Sequence, residues 1–289
     1  MPRRTLTLLH ASDLQAGTPY LPDAAEALVD LYQETGPDVV VVSGDLTQRA
    51  KPREFETAHR LLERFAPTPI VVTPGNHDVP LYRFWERALR PYRAWRGFQP
   101  GERLDTVVST EGATFVALNS AAPHRAIVNG RIRAEQLAFA ERAFAAAPAD
   151  DWRIIVTHHH FVPVPSGHGS PPIPGAEVAV RRFLEMGADL VLGGHVHQLH
   201  LHTSEDVPGV SAGGRGLPIL ATGTATSRRG RGPERDRNSV CVHRLSEGTL
   251  RIEPWMREPD GRAFERREAI EMPLEHGSQD HDAPSKATA

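Results

Sequence analysis

The chain has 289 residues, 39% of them hydrophobic and 24% charged, with a formal net charge of −3 and a pI near 6.6. That length admits one large domain or two small ones, and the slight acidity gives no support to a nucleic-acid binder or a membrane-surface protein. A single cysteine, Cys241, excludes an internal disulfide and a cysteine-ligated zinc site, no run approaches the ~20 apolar residues of a membrane helix, and a cytoplasmic protein is expected.

From the amino end, a β-branched and leucine-rich strand is expected at residues 5–9, too short for a signal peptide, and it runs into Asp13-Leu14-Gln15. A helix with Ala24, Leu28, Leu31 and Tyr32 on one face spans residues 23–32. A second strand, residues 38–42, ends in Gly44-Asp45. A helix over residues 53–65 carries the apolar stripe Phe55, Ala58, Leu61, Leu62 and Phe65. The strand at residues 70–73 leads to Gly75-Asn76-His77-Asp78. Strands at 105–109 and 114–118 precede Asn119 and His124, and a helix spans 133–146. The strand at 152–157 ends in His158-His159-His160. A helix at 176–186 stops at Gly187, and the strand at 189–192 ends in Gly194-His195-Val196-His197. A strand at 217–221 follows.

The early strands are apolar almost throughout, which buries both faces and points to an α/β protein. Beyond residue 197 the helices stop, and residues 197–202, 240–245, 250–255 and 263–272 read as a second, mostly antiparallel sheet. Two packed sheets with outer helices would make residues 1–273 a single domain. Residues 274–289 are polar and are expected to form a disordered tail.

Polar clusters that follow apolar strands directly lie at strand carboxyl ends, the edge of an α/β sheet where ligands bind. Asp13, Asp45, Asn76, His158, His195 and His197 together offer two carboxylates, an amide oxygen and three imidazoles. That mixture suits Mn, Fe or Zn better than Ca or a thiolate metal. Gly-Asp alone is a turn, and Asn-His-Asp alone suits a turn or cap; it is the five clusters in one chain that point to a metal site. His10 reads as a buried strand histidine bonded to backbone. The arginine-rich stretch 228–237 reads as a solvated loop, with Arg228 the candidate phosphate contact.

The five clusters, in this order, resemble the pattern of the calcineurin-like metallophosphoesterases, most closely the bacterial cyclic-nucleotide and general phosphodiesterase branch. The resemblance spans roughly residues 6 to 245. It implies an α/β fold, a four-layer α/β/β/α sandwich of two packed mixed sheets flanked by helices. It implies two divalent or trivalent metal ions, one held by Asp13, residue 15, Asp45 and His197, the other by Asp45, Asn76, His158 and His195, with Asp45 bridging. It implies phosphodiester hydrolysis by in-line attack of a hydroxide spanning the metals, with His77 serving the leaving group or an equatorial oxygen and Asp78 orienting His77. Asn119, His124, His159 and Arg228 are the expected substrate contacts, and a small phosphoester, not a membrane or a nucleic acid, is the expected partner.

One position departs from that pattern: Gln15 stands where the family has histidine. A neutral amide oxygen is a poorer ligand than imidazole for Zn or Fe and relatively better for Mn or Mg. It could ligate directly, hold a ligating water, or leave that metal weakly bound. The competing readings are a phosphomonoesterase or nuclease on the same site, and a metal-binding scaffold whose catalysis Gln15 has impaired.

Overall fold

The computed structural model describes residues 3–98, 103–124, 130–164, 171–210 and 216–274. The expected tail lies outside them, apart from Leu274. In chain order the elements are β1 (Leu6–Ala11), α1 (Pro22–Thr35), β2 (Val39–Val42), α2 (Pro52–Glu63), β3 (Ile70–Val72), α3 (Phe84–Leu89), α4 (Arg93–Phe98), β4 (Thr106–Thr110), β5 (Ala113–Ala117) and α5 (Ala134–Ala146). There follow β6 (Trp152–Val156), α6 (Ala176–Glu185), β7 (Leu190–Gly193), β8 (His200–Thr203), β9 (Pro218–Ala221), β10 (Asn238–Ser246), β11 (Thr249–Arg257), β12 (Glu265–Arg266) and β13 (Ile270–Pro273).

Local chemistry accounts for most of these boundaries. Four consecutive valines make β2, and all four are fully buried, as a strand covered on both faces requires. Helices α1 and α2 both begin at proline, whose missing N–H costs a first helical turn nothing. Helix α1 ends at Gly36 in the left-handed region (φ 51°), which returns its N–H to the Tyr32 carbonyl. Helices α3 and α4, six residues each, were not anticipated, because so short a segment shows no helical period.

Two mixed sheets result. One has the order β12-β11-β10-β1-β2-β3, with β13 also on β11; the other has β4-β5-β6-β7-β9-β8. Strands β1 to β3 are parallel, as are β5, β6, β7 and β9. Three apolar layers separate four structural ones. Leu28, Phe55 and Phe65 pack α1 and α2 on the first sheet, and Phe144, Val180 and Phe183 pack α5 and α6 on the second. Between the sheets Leu8, Val41 and Ile252 meet Phe115, Ile154 and Leu192. This is the expected α/β/β/α sandwich.

The expected separate antiparallel sheet after residue 197 does not form. Strand β10 pairs antiparallel with β1, Leu8 opposite His243, so the β10–β11 hairpin extends the first sheet. Strand β8 instead closes the edge of the second sheet against β9. Burying the otherwise open edge of β1 satisfies its backbone groups, a gain no local sequence pattern announces.

Candidate metal centre

The loops after β1, β2, β3, β6 and β7 converge. Five of the residues expected as ligands, Asp13, Gln15, Asp45, His195 and His197, have φ between 51° and 73°. Such a conformation costs a non-glycine residue on the order of 1–2 kcal/mol, and strain of this kind persists where surrounding contacts over-determine it. Here they do. The loop after β1 is zipped to the loop after β2 by Asp13 N–H to Gly44 O (3.0 Å), Gln15 N–H to Asp45 O (2.9 Å) and Ala16 N–H to Leu46 O (2.9 Å). From the loop after β9, Thr224 and Thr226 hydroxyls donate to the carbonyls of Asp13 (2.7 Å) and Leu14 (2.8 Å). Two motif glycines are there for space: a Cβ on Gly75 would meet Asp45 Oδ1 at 2.1 Å, and one on Gly194 would meet Ser12 Oγ at 1.8 Å.

Four donor atoms crowd into one volume. Asn76 Oδ1 lies 3.1 Å from His158 Nε2 and 2.9 Å from His195 Nδ1; those two nitrogens are 3.3 Å apart; Asp45 Oδ1 is 3.5 Å from His158 Nε2. His158 donates its Nδ1–H to the Ser43 carbonyl (2.8 Å), which turns Nε2 inward. Ligands about 2.0–2.2 Å from a common ion stand roughly 2.8–3.6 Å from one another between octahedral and tetrahedral arrangements, and these separations fall in that range. A second group, Asp13, Asp45 and His197, has its ligand atoms within 4.8 Å of one another. Its Asp13 Oδ1 is buried with no hydrogen-bond partner among the described residues, while Oδ2 accepts from the Ser12 hydroxyl (2.7 Å) and His195 N–H (2.9 Å). An orphaned carboxylate oxygen of this kind is what a cation would satisfy. Asp45 belongs to both groups, so the donor set fits two ions sharing one carboxylate.

The electrostatics agree. Burial depresses His195 well below its ordinary value, helped by neighbouring histidines, and brings His197 down to about 4 despite Asp13. Both imidazoles are therefore neutral, the form that ligates. Burial also works against a charge on His158, but Asp45 overcomes it and holds His158 up at about 9. Burial would raise Asp45 in turn; His158 and His77 outweigh it and keep the carboxylate well below its usual range. A metal would displace that proton on His158.

Gln15 does not present its oxygen to this pocket. Its Nε2 donates to Asp45 Oδ2 (3.0 Å) and its Oε1 accepts from Arg229 (3.0 Å). The orientation follows from donor and acceptor inventory: a carboxylate can only accept and a guanidinium can only donate. The amide is thus spent between Asp45 and Arg229. The same Arg229 nitrogen lies 3.1 Å from His77 Nε2 and 3.5 Å from Gln48 Oε1. Burial, then the nearby Arg229 charge, lower His77 against the pull of Asp45. Its Nδ1–H donates to the Gln48 carbonyl (3.0 Å) and Nε2 accepts from Arg229.

Several expected roles change. Asp78 does not orient His77; the Gln48 carbonyl does. The Asp78 carboxylate instead accepts from the N–H groups of Leu46 (3.1 Å), Thr47 (2.9 Å) and Gly75 (2.9 Å) and from the Thr47 hydroxyl (2.9 Å), clamping the loop that carries Asp45 to the loop that carries Asn76. Burial, then the charge of Asp45, push this carboxyl up to about 7 against those donors. Asn119 is committed at both ends, to the Tyr92 hydroxyl (2.9 Å) and the Ala121 N–H (3.0 Å). His159 is buried behind the ligands, its ring 4.5 Å from that of His195 and its Nδ1 2.8 Å from the Ser120 hydroxyl. His124 is exposed and makes no side-chain hydrogen bond among the described residues. His10 is the buried strand histidine expected, with a backbone hydrogen bond at Gly193, and it also meets two side chains, Ser43 Oγ at 2.9 Å and His243 Nε2 at 3.3 Å.

The missed residue is Arg229. Sequence reasoning favoured Arg228, whose backbone N–H bonds Pro19 O while its side chain is exposed beside an open cleft. Tyr20 and Ser227 form an antiparallel bridge, and the chain turns at Arg228 and Arg229 directly after it; the direction each arginine takes is set by that turn, which no local sequence signal announces.

Residues 6–199 match the family model described as calcineurin-like phosphoesterase. The chain is 29% identical over 269 residues to a cAMP/cGMP dual specificity phosphodiesterase of Mycobacterium tuberculosis, covering 84% of this chain and 77% of that protein. It is 28% identical over 219 residues to a probable cyclic nucleotide phosphodiesterase of a Synechococcus species, covering 74% of each. Among solved structures, a purple acid phosphatase from yellow lupin superposes with a TM-score of 0.70 at 14% identity, over 94% of this chain and 54% of the lupin chain. A dimetal phosphatase from Danio rerio superposes with a TM-score of 0.59 at 13% identity, over 95% of this chain and all of that one. At those identities the structures speak for the fold.

Proposed function

Because the chain belongs to the calcineurin-like phosphoesterase family, we propose that this phosphoric ester hydrolase cleaves small phosphodiesters, cyclic nucleotides among them, at a centre of two metal ions. The observation that supports this most is the cage of Asp45, Asn76, His158 and His195, joined through Asp45 to Asp13 and His197. Mn, Fe or Zn suits the four-donor side. The Asp13/Asp45/His197 side, with Gln15 turned away, has three donors and is the weaker, more tolerant of Mn or Mg.

When bound, the ions supply positive charge to the transferring phosphoryl group and ionise water near neutral pH. The protein's own groups do the rest. Asp13, Asp45, Asn76, His158, His195 and His197 hold the ions. Arg229 presents a guanidinium beside the centre, a fixed donor for a non-bridging phosphoryl oxygen as charge accumulates there. His77, with its tautomer set by the Gln48 carbonyl, directs Nε2 into the same region, where it would take up a proton from water and pass it to the leaving oxygen. Asp78, Thr224 and Thr226 keep the ligand loops in register.

Chelated protein reloaded with Mn, Fe, Zn or Mg, and assayed on bis(p-nitrophenyl) phosphate, p-nitrophenyl phosphate and 3′,5′-cyclic AMP, tests the proposal. Metal-dependent turnover that favours the diesters is expected. Exclusive monoester turnover would refute the phosphodiesterase assignment, and inactivity with every metal would refute the catalytic one.

A further inference from the structure

We propose that the cleft beside the metal centre is a second anion subsite, and that the substrate is a phosphodiester carrying a further, terminal phosphate group. The inference deepens the phosphodiesterase reading above and rests on it. The cleft has a volume of about 570 Å³, and its lining includes Arg49, Lys51, Arg228 and Arg229.

None of these four cations forms an ion pair with a carboxylate among the described residues. Elsewhere on the surface such pairs are common: Arg182 pairs with Glu141 and Glu185, Arg251 with Glu253 and Glu271, and Arg267 with Glu258. The one carboxylate lining the cleft, Glu54, is only 4% exposed and accepts the backbone N–H groups of Arg49 (2.7 Å) and Lys51 (3.3 Å), where α2 begins. Its charge is absorbed by amides rather than by the side-chain cations. Arg229 also feels the charges of Asp45 and Asp13 at the centre, but in a chain of net charge −3 the other three cations, without an ion pair among the described residues, call for an anionic ligand around this concavity.

Two of the cations are also held in place. The Arg49 guanidinium lies over the Tyr82 ring, 4.8 Å from its centroid. Arg229 is fixed by Gln15, Gln48 and His77. Gln48 and Arg229 line the cleft and also bond His77, so the cleft adjoins the metal centre through these shared residues. A phosphodiester bound at the metals can therefore extend into it. A simple cyclic nucleotide has one phosphate with a single negative charge; bound at the metals, it brings nothing to Arg49, Lys51 and Arg228. A terminal phosphate, with up to two negative charges and three acceptor oxygens, matches them.

The test compares the dinucleotide ApA with its 5′-phosphorylated form pApA on the metal-loaded enzyme, with bis(p-nitrophenyl) phosphate reporting the centre. The expected kcat/KM ratio of pApA to ApA is about tenfold or more at low ionic strength, falling as salt screens the cleft. In the triple variant Arg49→Ala, Lys51→Ala, Arg228→Ala the ratio falls toward one; general losses at the centre cancel in it. The variant Arg49→Lys, Arg228→Lys keeps most of the preference, since the charges remain. An enzyme active on bis(p-nitrophenyl) phosphate but with a wild-type ratio near one, or a ratio the triple variant does not move, overturns the subsite alone. Inactivity on all three diesters overturns the phosphodiesterase reading and the subsite with it.

Discussion

Asp78→Ala should lower stability before it alters chemistry. The carboxylate is fully buried and accepts three backbone N–H groups, from Leu46, Thr47 and Gly75, together with the Thr47 hydroxyl. Alanine orphans all three amides. At about 1–2 kcal/mol for each buried donor left without a partner, the loss is on the order of 3–6 kcal/mol, a large part of a typical folding free energy. For a chain somewhat longer than 250 residues, about 2–4 °C per kcal/mol converts this to a melting-temperature drop of roughly 6–24 °C. Asp78→Asn keeps the shape but turns an NH2 toward two of the donors, so it should fall between wild type and alanine. Thermal melts followed by circular dichroism read the stability, and the pH–rate profile of the metal-loaded enzyme reads the chemistry. An alanine variant that melts within about 2 °C of wild type yet shows a displaced pH–rate profile would refute the clamp and return Asp78 to a proton-transfer role.

Further outcomes follow from the same geometry. His77→Ala should lower kcat by about 10²–10⁴ while metal content, measured by elemental analysis, stays at the wild-type level, because His77 is no ligand. Arg229→Ala should lower kcat/KM by about 10²–10³, with Arg229→Lys recovering part of it; a loss under threefold in a steady-state assay would remove Arg229 from the phosphoryl group. Gln15→His should release Arg229 and supply a fourth donor to the Asp13/Asp45/His197 side, raising the fraction of the second metal retained through gel filtration and shifting the rate-versus-metal profile; an unchanged content and profile would show that residue 15 does not govern that site. Burial pushes the Cys241 thiol up to about 12, so a thiol reagent at pH 8 should react only in denaturant. The sign of the linkage is negative: above about pH 8.5 the unfolded thiol ionises while the folded one does not. Stability should therefore decline with pH there, by up to about 1.4 kcal/mol per unit, and Cys241→Ser should remove that slope in denaturant titrations.

Much of the centre was legible because its chemistry is written locally. Asp13, Asp45, Asn76, His158 and His195–His197 each follow an apolar strand within a few residues, so the α/β edge rule placed them together without coordinates. The buried faces of α1 and α2 came from periodicity in the same way. What escaped was decided by contact between distant segments. Arg229 and Gln15 are 214 residues apart and meet at 3.0 Å. Asp78 sits two residues from Asn76 in sequence, but its four hydrogen-bond donors belong to two loops. The β10–β11 hairpin has the alternation of any antiparallel pair, and nothing local says that its partner is β1.

The residues alone therefore determined the metal-binding character, the strand-end placement of the candidate ligands and the layered α/β character, since each depends on residue type and on spacings of a few positions. The tertiary structure alone decided that Gln15 faces Asp45 and Arg229, that Asp78 is a clamp, that Arg229 rather than Arg228 reaches the centre, and that Arg49, Lys51 and Arg228, without an ion pair among the described residues, line a cleft beside it. Those outcomes turn on which donor meets which acceptor across folded loops, and such pairing exists only once burial has brought the loops together and made each unsatisfied group costly.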